Sequence, residues 1–149
     1  MKRISNKQLY NNINHLKNID ILTGWGEQAR YNKDISIGKV MALNNYGFVN
    51  SHGVVVPARP FMDNCISNNQ NKWKQDSQYL LSKVLVATLS FENMLNQLKL
   101  VLAGDLATEI RNTNTPPNAP STVKKKGFNK PLVDTGTALA TITSEVVYV

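Results

Sequence analysis

Apolar residues recur along the chain with two different periods. Leu9, Ile13 and Leu16 fall at helical spacing and predict a short amphipathic helix near residues 5–17. Ile19, Ile21 and Thr23 then alternate with Asp20 and Leu22, which predicts a strand ended by the Gly24-Trp25-Gly26 turn. Ile37, Val40, Met41 and Leu43 predict a second helix, stopped at Asn45-Tyr46-Gly47, where Gly or Asn takes up a left-handed cap. Val54-Val55-Val56 is a short extended piece. In Pro57-Ala58-Arg59-Pro60-Phe61-Met62 each proline pushes its predecessor out of the α region, so Val56 and Arg59 are held extended and Pro60 is placed as the first residue of a helix.

From there the period is helical. Met62, Ile66, Trp73, Leu80 and Val84 fit one face, although the polar residues 67–78 leave room for a break. Phe91, Met94, Leu95, Leu98, Val101, Leu102, Leu106 and Ile110 form the strongest stripe. Gly104 interrupts it at a cost of roughly 1 kcal/mol relative to Ala, which a kink or a close helix contact would explain. Residues 112–131 then hold four of the six prolines and no periodicity, a length that marks either a functional or a disordered loop. After the turn at Leu132–Gly136, Ala140, Ile142, Ser144, Val146 and Tyr148 alternate with β-branched residues, predicting a terminal strand paired antiparallel with residues 19–24. The expected fold is α+β: a small antiparallel sheet packed against several helices, with a long extended loop before the last strand, in one domain over 1–149.

Composition changes this picture little. With 149 residues, 42% hydrophobic and 18% charged, the chain buries one core rather than two independent ones. Seventeen basic and ten acidic side chains leave a net charge of +7, compatible with nucleic acid, an anionic membrane or an acidic protein. One cysteine, Cys65, excludes an internal disulfide and a multi-thiolate metal site and fits a reducing cytoplasm. No apolar run suits a signal peptide or a membrane span, so a soluble protein is expected.

The candidate chemistry is sparse. His15 and His52 have no carboxylate at obvious spacing, Cys65 has no basic neighbour, and no carboxylate pair stands out as acid and base. Gly24-Trp25-Gly26 lacks the third glycine of a dinucleotide fingerprint, and Lys124-Lys125-Lys126-Gly127 has no glycine-rich loop before it. A non-enzyme without metal or cofactor is expected. The basic run Lys124, Lys125, Lys126 and Lys130 with the aromatic Phe128 is open to three readings: phosphate binding with base stacking, a solvated loop, or docking on a neighbouring subunit. Pro57–Phe61 reads as a ligand contact or as a plain turn leading into the helix.

The order of these blocks resembles the virion-morphogenesis proteins of tailed bacteriophages and Mu-like prophages. The likeness covers roughly residues 18–149 and rests on Asn44-Asn45-Tyr46-Gly47, Val56–Met62, Pro116–Gly127, and Lys130–Gly136 with the strand after it. Two stretches depart from the pattern. Tyr46-Gly47-Phe48-Val49 stands where an acidic residue with Gly-Thr is usual, and Thr137-Ala138-Leu139-Ala140 where a leucine with asparagine or arginine is usual. The resemblance implies a structural tail completion, tail terminator or neck protein of the head–tail joint, acting without catalysis. It implies a homo-oligomeric ring, six-fold to match a tail tube, that joins the head connector and lets genomic DNA pass without sequence preference. Subunit and partner contacts are expected at Pro57, Arg59, Pro60, Phe61, Pro116, Pro117, Pro120, Lys124, Lys125, Lys126, Phe128, Lys130, Asp134 and Gly136. The location implied is the virion, reached from the host cytoplasm, with no membrane. The rival expectation is a sequence-independent DNA-binding protein using the basic loop 121–130.

Overall fold

A computed structural model describes residues 5–16 and 18–149, without the side chain of His15, so that candidate lies outside the described residues. The first helix, α1 (Asn6–Leu16), leads into β1 (Ile19–Gly24) and then α2 (Ile37–Tyr46). Ser36 caps α2, its hydroxyl accepting from the Lys39 amide. A small hairpin follows, β2 (Phe48–Val49) and β3 (Val55–Val56), and then the two long helices α3 (Phe61–Leu85) and α4 (Phe91–Asn112). The chain closes with α5 (Pro120–Lys126), α6 (Thr137–Ala140) and β4 (Thr143–Tyr148). No described helix is long and apolar enough to cross a membrane.

The architecture is α+β. β1 and β4 pair antiparallel with Ile21 opposite Val146 and Thr23 opposite Ser144, while β2 and β3 form a separate antiparallel pair. The hydroxyls of Thr23 and Ser144 sit 2.8 Å apart across the ribbon. Alternation along β1 turns Ile19, Ile21 and Thr23 towards the helices and leaves Asp20 and Leu22 in solvent.

Helices α3 and α4 form a hairpin whose interior is filled at both ends. One cluster joins Ile37 and Met41 of α2, Phe61 and Cys65 of α3, Leu106 and Ile110 of α4, and Ala138 of α6. The other joins Leu80 and Val84 to Met94 and Leu95, roofed by Ile19, Ile21 and Val146 of the ribbon. Between them the buried face is thin, and α3 runs through the polar residues 67–78 without a break. Trp73 continues the stripe there, and its indole donates to Asp105 Oδ2 of α4 at 2.7 Å. Lys72 reaches the same carboxylate at 2.7 Å, so the polar middle of α3 is tied to α4 by side chains rather than by apolar area.

Three local expectations change. Pro60 caps α3 from outside, and Phe61 is the first helical residue. Gly104 meets no close neighbour: space around its Cα is open and it lies in solvent, so no tight helix contact accounts for it. The stretch 112–131 is not extended throughout, because Ala119 and Pro120 start the seven-residue α5, with Pro at the one turn where its missing amide costs nothing.

Candidate functional site

Arg59 organises the site. Its flanking prolines Pro57 and Pro60 are exposed, yet Arg59 itself is only 5% exposed. The Arg59 amide donates to the Asn44 carbonyl at 2.9 Å, fixing the turn against the end of α2. From there the guanidinium donates through Nε to the Pro116 carbonyl at 2.9 Å and through Nη2 to the Pro117 carbonyl at 3.0 Å. Prolines supply no amides, so this strand of chain can be gripped only by its carbonyls, and the planar fork of an arginine matches two successive ones. Burial holds the guanidinium below its ordinary pKa.

The basic stretch folds back on its own chain. Lys126 Nζ donates to the Lys130 carbonyl at 2.9 Å and to the Val133 carbonyl, and lies 4.9 Å above the Phe128 ring. Burial pulls the Lys126 pKa down; the Asp134 carboxylate opposes the shift and Arg59 adds to it. Lys130 Nζ donates to Asn114 Oδ1 at 2.7 Å, and the Asn118 amide donates to Asn129 Oδ1 at 3.2 Å. Gly127 closes α5 in the left-handed conformation, its amide bonded to the Val123 carbonyl at 2.8 Å. Of the lysines, Lys124 and Lys125 are left on the exposed side of α5, next to an open cleft of about 580 Å³ lined by Ser121, Thr122, Lys125, Lys126 and Asp134.

The residues named from sequence fall into two overlapping sets, with Pro117, Phe128 and Asp134 in both. Arg59, Pro116, Pro117, Lys126, Phe128, Lys130 and Asp134 come together around the folded-back segment. Pro57, Pro60, Pro117, Pro120, Lys124, Lys125, Phe128 and Asp134 present surface to solvent. Phe61 does not: it is fully buried in the first cluster, with the Trp25 ring edge-on at 6.3 Å, and offers nothing to a neighbour. Arg59 likewise acts inside the subunit, spent on its own backbone. Gly136, at φ 79°, starts α6 and so positions Ala138 against Trp25, whose indole donates to the Ala138 carbonyl at 2.7 Å.

Asn45 is a key residue that periodicity does not single out. Its Oδ1 accepts from the Met62 amide at 2.9 Å and its Nδ2 donates to Asp63 Oδ2 at 3.1 Å. Pro60 has no side-chain oxygen to cap α3, and Asn45 supplies the cap from another helix. The one sequence signal was the Asn44-Asn45 pair at the end of α2.

Among the described residues no three His, Cys, Asp or Glu side chains gather to hold a metal. Cys65 is buried, and burial foremost, with the carboxylates of Asp105 and Glu109, pushes its thiol pKa up. A thiol reagent is therefore expected to label Cys65 only as fast as the chain opens, and rapidly in denaturant; fast labelling of the native protein would place the thiol in solvent. Compared with family models, curated proteins and solved structures, the chain matches none.

Proposed function

We propose that this chain is a structural protein of the head–tail joint of a tailed phage, a tail completion or neck protein. It assembles into a ring, six-fold in keeping with a tail tube, that binds the head connector and tail tube proteins and lets DNA pass. One observation carries the reading. Two of the blocks on which the resemblance rests, Val56–Met62 and Pro116–Gly127, lie far apart in sequence, yet Arg59 bonds them into one unit. Blocks that share a single structural device are what a common fold requires. The surface of that unit, with Pro57, Pro60 and Pro120 outward, is suited to protein contact because its backbone is already ordered before binding.

Electron microscopy of phage particles made without the protein tests this directly. Separate full heads and complete tails are expected; empty heads would point to packaging and overturn the reading. The DNA-binding alternative rests on Lys124 and Lys125, since Lys126 and Lys130 are engaged within the chain. Replacing both, Lys124→Ser with Lys125→Ser, is expected to leave folding and joining intact and to alter only how DNA is retained or ejected. Were the isolated protein to bind DNA through this loop, the salt dependence would instead fall by about one for each lysine removed.

A further inference from the structure

Two surfaces of this chain lack charge although its net charge is +7. The first is the β2–β3 hairpin. Between Lys39 and Arg59 there is no charged residue, and Val49 and Val55, directly opposite on one face, are 63% and 71% exposed. The arm that carries them is stiff. Asn50 Oδ1 accepts from the amides of His52 and Val54, and the Asn50 amide donates to the Val54 carbonyl at 3.0 Å.

The second surface runs along the edge of β1 that no described strand pairs with. Two grooves of about 290 and 260 Å³ follow one another there, sharing Ile21. They are walled by Ile66, Trp73 and Leu81 of α3 and floored by Leu98 and Leu102 of α4, and among the described residues no charged one lines either. Each is smaller than the roughly 300–1,000 Å³ usual for small-molecule sites and suits side chains of a docked segment better. Above the trough the backbone is ready to pair. The Val149 amide donates to the Asn18 carbonyl at 2.9 Å, so pairing with β4 uses residues 18, 20, 22 and 24 of the strand. The amides and carbonyls of Ile19, Ile21 and Thr23 accordingly point away from β4.

We infer that the Val49/Val55 face of the hairpin of one copy docks in the β1 trough of the next copy, extending its ribbon by strand addition. This rests on the ring reading and names the contact that builds the ring. Two copies of like net charge approach at least cost where neither carries charge, and charged residues are depleted in the cores of interfaces. Strand addition supplies main-chain hydrogen bonds, and the exposed valines fill the groove. Hairpin and trough are different surfaces, so the contact is head-to-tail and leaves each copy with one of each free until the ring closes.

The test is the mass of the full-length chain by light scattering. Val55→Lys and Ile66→Lys change exposed side chains, Ile66 being 54% exposed, and circular dichroism reports that each variant stays folded. Wild type is expected to assemble, and each variant to be monomeric. Mixed one to one, the variants retain one intact hairpin and one intact trough between them, so they should form dimers and nothing larger. Val49→Lys, on the same face as Val55, should behave as Val55→Lys does. If wild type assembles and the variants assemble equally well, or if monomeric variants fail to pair on mixing, the hairpin contact is wrong while the ring reading stands. If wild type stays monomeric at every concentration, the ring reading falls and this contact with it.

Discussion

Arg59→Ala is expected to destabilise the protein by about 3–5 kcal/mol. Hydrogen bonds from a charged donor contribute about 1.5–3 kcal/mol each, and Arg59 makes two, to the carbonyls of Pro116 and Pro117. The arginine side chain is also buried, so truncation leaves a gap in the interior. The loss has a location as well as a size. Amides of residues 113–119 that lie beside the two proline carbonyls should exchange faster by a larger factor than those in the α3–α4 hairpin. Arg59→Lys separates charge from shape: an ammonium on a single stem cannot present two parallel donors to successive carbonyls, so it should recover less than half of the loss. Urea titration of the three proteins with site-resolved hydrogen exchange checks all of this. An Arg59→Ala midpoint equal to wild type would show that the guanidinium does not hold the proline segment. If the proposed function is right, particles carrying Arg59→Ala should fail to join heads to tails at temperatures where wild type succeeds.

Gly47→Ala should cost about 3 kcal/mol or more, and its signature should be the loss of the hairpin. Gly47 ends α2 at φ 75° and ψ 162°. That is positive φ, as its place at the helix end suggested, but not the left-handed helical cap. The region is accessible essentially to glycine alone, at a penalty of about 1–3 kcal/mol for any other residue. A second cost is steric. A Cβ at this position would sit 2.8 Å from the Ala58 amide nitrogen and 2.9 Å from the Val56 carbonyl oxygen, both backbone atoms that cannot rotate aside. Gly53 provides the control. It also has positive φ, at 73°, but open space surrounds it, so Gly53→Ala should show only the conformational penalty. Denaturation midpoints should therefore fall further for Gly47→Ala than for Gly53→Ala. Equal losses would mean that the backbone of 56–58 yields easily and that the hairpin is not seated as described. Because the hairpin is the inferred docking arm, Gly47→Ala should also weaken self-assembly more than Gly53→Ala does.

Elements set by local periodicity were legible from the residues alone. The alternation in 19–24 and 140–148 led to both strands and to their antiparallel pairing, because β-branched residues on one face must cover apolar helices, but β4 starts only at Thr143, since Ala140 still belongs to α6. The stripe in α4 and the helix at Ile37 were equally plain. The single helix from Phe61 to Leu85 was not, since its middle is held by Trp73 and Lys72 reaching Asp105, a contact across 32 positions that no window of sequence contains. The site divided in the same way. Proline and lysine content marked Pro57–Phe61 as a turn and Pro116–Gly136 as a basic loop, and only the resemblance made them contact candidates; content does not say which way a side chain turns.

What the sequence by itself determined is thus the locally periodic part of the inventory, namely α1, β1, α2, α4 and β4, together with the excess of positive charge. Tertiary structure alone decided that Arg59 and Lys126 turn inward onto carbonyls while Lys124 and Lys125 stay in solvent, and that an uncharged hairpin stands exposed on the same molecule as a trough with no charged residue among its described lining. The physical reason is range. Backbone preference and hydrophobic period act within a few residues, whereas the direction of a hydrogen-bonding side chain is settled by whichever unpaired carbonyl the fold brings within about 3 Å of it.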